Sequence, residues 1–209
     1  MKHISLENIL GMDKQFRTNL INSLPGIRGA NLIGTVNESG ETNLAIFNSV
    51  MHIGAHPPYM GLIMRPVSVP RGTYNNIKQT GVFTINHVHE GIIKQAHQTS
   101  ARYETSEFAA TGLTAWYSQQ HKAPYVAESV VKIGLRFVEE HHIACNQTIL
   151  LVGEVQEIIL SDDYLSETGI LQLNQTKSVG VNGLETYYGL EKLVELPYAK
   201  PDGNILNLS

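Results

Sequence analysis

Several features that would by themselves indicate a class of function are scarce in this 209-residue sequence. Cys145 is the single cysteine, so no disulfide can form within the chain, and we expect a cytoplasmic protein. No run approaches the roughly 20 apolar residues of a membrane-spanning helix. The first residues also lack the apolar stretch of a signal peptide. We therefore expect no membrane association.

Excess positive charge and the common motifs of nucleotide chemistry are also missing. The formal net charge is −4, which argues against a nucleic-acid partner. Neither a glycine-rich dinucleotide fingerprint nor a phosphate-binding P-loop motif occurs. The pairs His87/His89 and His141/His142 do not belong to a metal-binding motif such as HExxH, so we expect no metal site.

What the sequence does contain is a mainly β pattern interrupted by short helices. Apolar residues at helical spacing predict a helix over 13–24, and a leading proline with a closing glycine predicts another over 70–81. Alternating residues predict a strand over 82–88, and two long β-type runs over 129–144 and 147–160 predict a hairpin. The tail after residue 172 has the composition of a loop. Together these elements predict a single-domain β-barrel decorated with helices.

Polar residues interrupt the core-like segments between residues 43 and 87. Asn48 and Ser49 stand within an apolar run that begins at Asn43, and Arg65 ends another. We expect the turn at Pro57-Pro58 to bring these two runs side by side as strands. Arg71 and Thr73 open the predicted helix. A helix N-terminus with a guanidinium group and a hydroxyl group is suited to an anion. Strand amides suit the polar edge of a flat ring, and small polar side chains suit a polyol. These preferences together describe FMN.

A plainer interpretation of the same residues remains open from the spacing alone. Arg71 and Thr73 would then only cap a helix, and Arg65 would pair with a surface carboxylate.

The motifs of this region resemble the flavin reductase-like family of FMN-binding split barrels. The resemblance runs over about residues 28–160 and rests chiefly on Asn43-Leu44-Ala45, Asn48-Ser49, Pro57-Pro58, Thr73–Ile77 and Phe83–Asn86. It implies an antiparallel, Greek-key-like split β-barrel. We expect one domain, 1–209, with its core over about 28–160, the helix 13–24 before it and a C-terminal extension, 161–209.

The family also implies a homodimer with FMN at the subunit interface. Carried over by position, Asn43, Ala45, Asn48, Ser49 and Val50 would line the ring and the ribityl chain. Arg65, Arg71 and Thr73 would hold the phosphate, and Tyr74 is counted with these cofactor-binding residues.

The activity that this resemblance implies is an FMN-dependent NAD(P)H oxidoreductase. NADH or NADPH would pass hydride to FMN, which would then reduce a small-molecule electron acceptor. His87 and Tyr117 are candidates for the open face of the ring. Two alternatives are a non-catalytic FMN-binding or carrier protein and an FMN-dependent oxidase of related fold.

Overall fold

The structure, a computed structural model, describes residues 1–68 and 71–198 and is dominated by antiparallel strands. This confirms the predicted mainly β class with short helices. The α-helices are α1 (Leu6–Leu10), α2 (Lys14–Ser23), α3 (Gly72–Thr80), α4 (Ile93–Gln98), α5 (Glu107–Thr111) and α6 (Leu173–Thr176), with short 3-10 turns at Glu90–Ile92 and Asp162–Tyr164. The strands are β1 (Arg28–Gly29), β2 (Asn31–Val36), β3 (Thr42–Phe47), β4 (Val50–Ala55), β5 (Pro58–Met64), β6 (Val82–His87), β7 (Ala115–Trp116), β8 (Tyr125–Val126), β9 (Lys132–Ile143), β10 (Thr148–Ile159), β11 (Val179–Asn182) and β12 (Thr186–Gly189).

Seven of these strands form one sheet whose two edges are consecutive in sequence. The order is β3-β2-β6-β9-β10-β5-β4, so β3 and β4 lie at opposite edges although only Asn48 and Ser49 separate them. In a flat seven-stranded sheet the edges would stand about 29 Å apart, at about 4.8 Å per interval. A two-residue link spans only about 11 Å from Phe47 to Val50. The sheet must therefore curl until its edges nearly meet, which is the expected split barrel.

Ser49 fixes the point where the edges approach each other. Its hydroxyl donates to the carbonyl oxygen of Ile63 at 3.0 Å and accepts from the Ile63 backbone N–H at 3.2 Å. Ile63 belongs to β5, so this side chain ties the link between β3 and β4 to the neighbouring strand. The Ser49 hydroxyl therefore stabilises the place where the two edges of the sheet approach each other. This place, formed by Asn48, Ser49 and Ile63, is called the seam.

The pairing around Pro57-Pro58 differs from the expected one. The sequence suggested that the strand beginning at Asn43 pairs with the one after the prolines, but β5 pairs with β4 instead. β3 pairs with β2 on the far edge. The reason is the break at Asn48-Ser49, which ends one strand and starts another.

Two apolar clusters fill the fold, one on each face of β2. Ile33, Phe83 and Leu135 belong to the cluster inside the barrel. Leu32 and Phe108 belong to a second cluster, between the sheet and the helices. Because both faces are covered, Asn31 to Thr35 are all buried.

The predicted local elements are largely present. α2 is capped by Asp13, and α3 ends at Gly81, whose φ of 71° allows the left-handed cap. The long hairpin of β9 and β10 is confirmed. Pro70, predicted to open α3, lies outside the described residues, as do residues 199–209 of the predicted extension.

The loop-like interpretation of the tail was wrong. β11 and β12 form a hairpin that joins β1 in a three-stranded sheet. Val179 and Val181 are buried in the cluster between sheet and helices, so the packed core extends past residue 160. Glycines and paired tyrosines suggested a loop. The strand partner that stabilises β11 is β1, which lies about 150 positions earlier in the chain and cannot be found from local sequence. Within the described residues, no helix has the length and apolar character needed to cross a bilayer.

His87, at the end of β6, is a half-buried histidine in this framework. Its Nδ1 lies 3.3 Å from Ser178 Oγ, and burial lowers its pKa to about 4. The unfolded chain would therefore bind a proton near pH 6.5, where the folded chain does not. The stabilisation associated with neutral His87 is complete above pH 6.5 and is lost progressively as the pH falls towards 4.

The first prediction concerns the seam. Ser49→Ala should lower the free energy of unfolding by about 1–3 kcal/mol, because it leaves two backbone groups of Ile63 without their side-chain partner. Urea titration measures the change. Ser39→Ala, in the exposed turn between β2 and β3, is the matched control. Equal changes in the free energy of unfolding for the two substitutions would contradict the stabilising role of the Ser49 hydroxyl.

The second prediction concerns acid stability. Between pH 7.5 and 5 the wild type should lose about 2 kcal/mol more than His87→Asn, which cannot take up the proton. Denaturant titrations at both pH values measure this difference. His141→Asn provides the control, since the His141 side chain is 58% exposed. If His87→Asn lost as much stability between pH 7.5 and 5 as the wild type, His87 would not be the group responsible for the acid sensitivity.

Candidate functional site

A cavity of about 620 Å³ lies along the free edge of β3. Its size is in the range of about 300–1,000 Å³ that small-molecule sites usually have. Its walls come from the seam of the barrel, the start of α3, the segment from α4 to α5, and the β11–β12 hairpin. The residues that line it include Asn22, Asn43, Ala45, Ile46, Phe47, Asn48, Ser49, Arg65, Arg71, Gly72, Thr73, His97, Arg102, Glu107, Leu184, Glu185 and Tyr187.

The backbone of β3 faces this cavity because, within the described part of the chain, the strand has a partner on one side only. The Leu44 N–H donates to Glu107 Oε2 at 3.0 Å, so Leu44 directs its backbone groups away from β2. Residues two apart in an antiparallel strand direct these groups to the same side. The N–H and C=O of Ile46 therefore also point towards the cavity. A strand edge of this kind can bind the hydrogen-bonding rim of a flat ligand.

The N-terminus of α3 meets β3 at one end of the cavity. Asn43 Nδ2 donates to Thr73 Oγ1 at 3.0 Å, which joins strand and helix. A Cβ at position 72 would overlap Asn43 Oδ1, so this close approach requires Gly72. The first-turn N–H groups of the helix and the Thr73 hydroxyl consequently lie beside the cavity, where an anion is favoured.

Three guanidinium groups add positive charge to the cavity wall. Arg65 and Arg102 are exposed, and Arg71 is half-buried. Over residues 1–68 and 71–198, none of the three forms an ion pair with a carboxylate. Glu107 and Glu185 also line the cavity. The described lining therefore carries one more positive than negative side chain.

The plainer interpretation of the arginines does not match these contacts. Arg71 stands at the N-cap of α3 but makes no side-chain capping bond. Its Nε instead donates to the Pro66 carbonyl oxygen at 3.3 Å. Arg65 has no carboxylate partner among the described residues. Both guanidinium groups retain donors for a ligand.

A histidine–tyrosine pair forms part of another wall. His97 Nδ1 lies 3.0 Å from the Tyr187 hydroxyl, and their rings meet edge to face. Burial raises the pKa of Tyr187, so its hydroxyl stays protonated at neutral pH. The pair joins α4 to β12 across the cavity.

Asn48 and Ser49 are already bonded to the protein. Asn48 Nδ2 donates to the Gly183 carbonyl oxygen at 2.7 Å, and Ser49 is bonded to Ile63 at the seam. Each keeps an acceptor lone pair, since the Asn48 amide oxygen has no hydrogen-bond partner among residues 1–68 and 71–198 and a hydroxyl has two lone pairs. Their bonds explain why these residue types occur here even without a ligand.

The structure brings together seven of the nine predicted cofactor-binding residues. Val50 instead lines a second cavity, of about 200 Å³. The Tyr74 hydroxyl donates to the carboxylate of Glu140 at 3.2 Å. Their roles, like those of the seven, stay predictions.

His87 and Tyr117, predicted to lie at the open face, do not line the large cavity. His87 lines the second one. Asn31 pairs with both His87 and Phe47, so His87 stands two strands, or about 10 Å, from the cavity-lining Phe47. Tyr117 follows β7 and is 46% exposed. Their catalytic roles stay predictions.

Several lining residues carry no recognisable signal in the sequence. Arg102 is an isolated cation in a polar loop, Glu107 opens a five-residue helix, and Tyr187 lies in the segment interpreted as a loop. They reach the cavity because α4, α5 and β12 pack around β3. In the part of the chain that the structure describes, no three His, Cys, Asp or Glu side chains are grouped to hold a metal ion.

Comparisons with known proteins identify relatives of this architecture. A protein from Shewanella frigidimarina, described as a candidate flavin reductase with a split barrel domain, is 46% identical, with a TM-score of 0.92 over 95% of this chain and 100% of that one. The 2-nitrobenzoate 2-nitroreductase of Pseudomonas fluorescens is 18% identical, with a TM-score of 0.81 over 98% and 100% of the two chains. An FMN-binding protein from Thermus thermophilus is 16% identical, with a TM-score of 0.74 over 94% and 100%. The last two likenesses show the fold alone.

A family model described as the flavin reductase like domain matches residues 27–179. No significant match was found among curated protein sequences. The family match covers more than half of the chain and includes the seam, α3 and the long hairpin. It confirms the resemblance drawn from the motifs and gives the chain a flavin-related oxidoreductase role. The chain belongs to the flavin reductase-like family.

Proposed function

We propose that the chain binds FMN in the large cavity and transfers electrons from NADH or NADPH to a small organic acceptor. The supporting observation is that Arg65, Arg71 and Arg102 line the same cavity as the N-terminus of α3 and have no carboxylate ion-pair partner among the described residues. Unpaired guanidinium groups and free helix N–H groups together favour a phosphate dianion.

The other lining residues fit the remaining parts of FMN. The open edge of β3 offers backbone N–H and C=O groups at Ile46 for the rim of a flavin ring. Asn48 and Ser49 keep acceptor sites for the ribityl hydroxyls. When bound, the flavin supplies the hydride chemistry, while the chain binds and orients it.

We further propose that the protein is a homodimer with FMN near the subunit interface. Both ends of the described chain expose large apolar side chains. Phe16 and Leu24, on the predicted stripe of α2, are 58% and 67% exposed, and Leu193 is 90% exposed. Neither α1 nor α2 contains a buried residue. A subunit partner would cover such exposed apolar side chains, because apolar surface on a stable interface is buried.

The third prediction tests the activity directly. The purified protein should be yellow with FMN, identified by mass, and should lose its colour when NADH or NADPH is added without oxygen. A small nitroaromatic compound or a cyclic enone should restore the colour, because fold neighbours are named for a nitroreductase and for an enone complex.

Other outcomes would select other functions. A colourless protein that takes up no FMN would contradict every flavin-dependent proposal. A yellow protein that neither nucleotide bleaches would favour the carrier, and bleaching by an amine alone would favour the oxidase.

The fourth prediction tests the phosphate site. Arg71→Ala should weaken FMN binding by about 1–3 kcal/mol, roughly a 5- to 150-fold rise in Kd, because a charge-assisted hydrogen bond is lost. Arg102→Ala should act in the same direction, with a smaller effect because Arg102 is exposed. Fluorescence titration of the apoprotein measures both.

Riboflavin, which lacks the phosphate, separates this effect from general damage. Its affinity should be unchanged in Arg71→Ala. Lys78→Ala, at the other end of α3, is the control, since Lys78 pairs with Glu140 and lies outside the cavity lining. Equal losses for FMN and riboflavin would show that the phosphate lies elsewhere.

A further inference from the structure

The turn between β11 and β12 forms part of the wall of the large cavity. Leu184 and Glu185 line the cavity directly. Gly183 has a φ of 64°, in the left-handed region that favours glycine. Residues 183–185 connect Asn182 to Thr186, the last pair of the hairpin, and are called the wall turn below.

Two side chains reach the same carbonyl oxygen of the wall turn. Asn48 Nδ2 donates to Gly183 O at 2.7 Å from the seam of the barrel. Arg28 Nη2 makes a longer contact of 3.4 Å with the same oxygen. Arg28 Nη2 also donates to the Asn22 carbonyl oxygen at 3.0 Å. One guanidinium nitrogen therefore connects two separate parts of the wall, since Asn22 also lines the cavity.

Arg28 does not line the cavity itself. It lies in β1, opposite Val181 of β11, and is half-buried. Among the described residues no carboxylate pairs with it, and its Nε is buried without a partner. A cation in such surroundings costs free energy relative to an apolar side chain of similar length. Packing alone therefore does not account for an arginine at this position.

We propose that Arg28 is a positioning residue that holds Asn22 and the wall turn against the cavity and thereby slows the release of the bound flavin. The inference rests on the proposed function. Asn48 anchors the wall turn from the seam side and Arg28 anchors it from β1. Removal of the Arg28 contacts frees the turn to move without removing any group that faces the ligand.

The fifth prediction compares Arg28→Met with Arg17→Met. Methionine keeps an apolar stem and removes every donor. Arg17 is a matched control, because its Nη1 also donates to two backbone carbonyl oxygens, those of Leu10 and Met12, but it does not line the cavity. Stopped-flow fluorescence measures the dissociation rates of FMN and riboflavin.

In Arg28→Met both flavins should dissociate about five to ten times faster, because the wall contacts the ligand whether or not it carries a phosphate. Arg17→Met should stay within about twofold of the wild type. Arg28→Lys, which retains charge and one reachable donor, should give an intermediate rate. If Arg28→Met does not fold, the dissociation rates of Arg28→Lys still test the inference.

Hydrogen exchange of the apoprotein gives a readout that does not involve flavin. Amides of residues 22–24 and 183–186 should exchange faster in Arg28→Met, while those of β9 and β10 should not change. Unchanged dissociation rates in Arg28→Met and Arg28→Lys would overturn the inference. So would faster release of FMN alone, which would instead assign Arg28 to the phosphate. A wild type that binds neither flavin would overturn the proposed function together with this inference.

Discussion

The rest of the structure depends on the two-residue link between β3 and β4. Strands at opposite edges of a seven-stranded sheet are joined by Asn48 and Ser49, so the sheet has to curl almost into a closed barrel. Ser49 fixes the closure through both backbone groups of Ile63. Among the described residues β3 still has no strand partner on its outer side, and that free edge becomes the floor of the large cavity. The same short link therefore closes the barrel and leaves a place for a ligand.

The electrostatics of the cavity follow from this geometry. α3 is packed against β3 through Gly72 and the bond between Asn43 and Thr73, which places a helix N-terminus at one end of the open edge. Arg65, Arg71 and Arg102 line the same cavity. In the described residues their charge is not neutralised by ion pairs, and an anionic ligand would supply the missing counter-charge.

The wall on the opposite side comes from the C-terminal hairpin. Its strand β11 pairs with two-residue β1, and its first residue, Val179, donates a backbone hydrogen bond to Val88 directly after β6. Side-chain bonds reach Gly183 at its turn. The floor therefore belongs to the seven-stranded sheet and this wall to the three-stranded one, and Asn48 and Arg28 bond the turn of the wall from two different segments.

The sequence by itself determined the strands of the barrel, helix α3 with its glycine cap, and most residue types of the anion site. These depend on neighbours within a few positions, as the pattern from Arg71 to Gly81 illustrates. The family resemblance then added Ala45 and assigned expected roles to Asn43 and Arg65. Only the tertiary structure decided that Val50 and Tyr74 turn away from the cavity and that Arg102 and Tyr187 join it. The physical reason is that strand pairing sets spatial neighbours, and the break at Asn48-Ser49 and the match of β1 with β11 bring together residues that no local pattern connects.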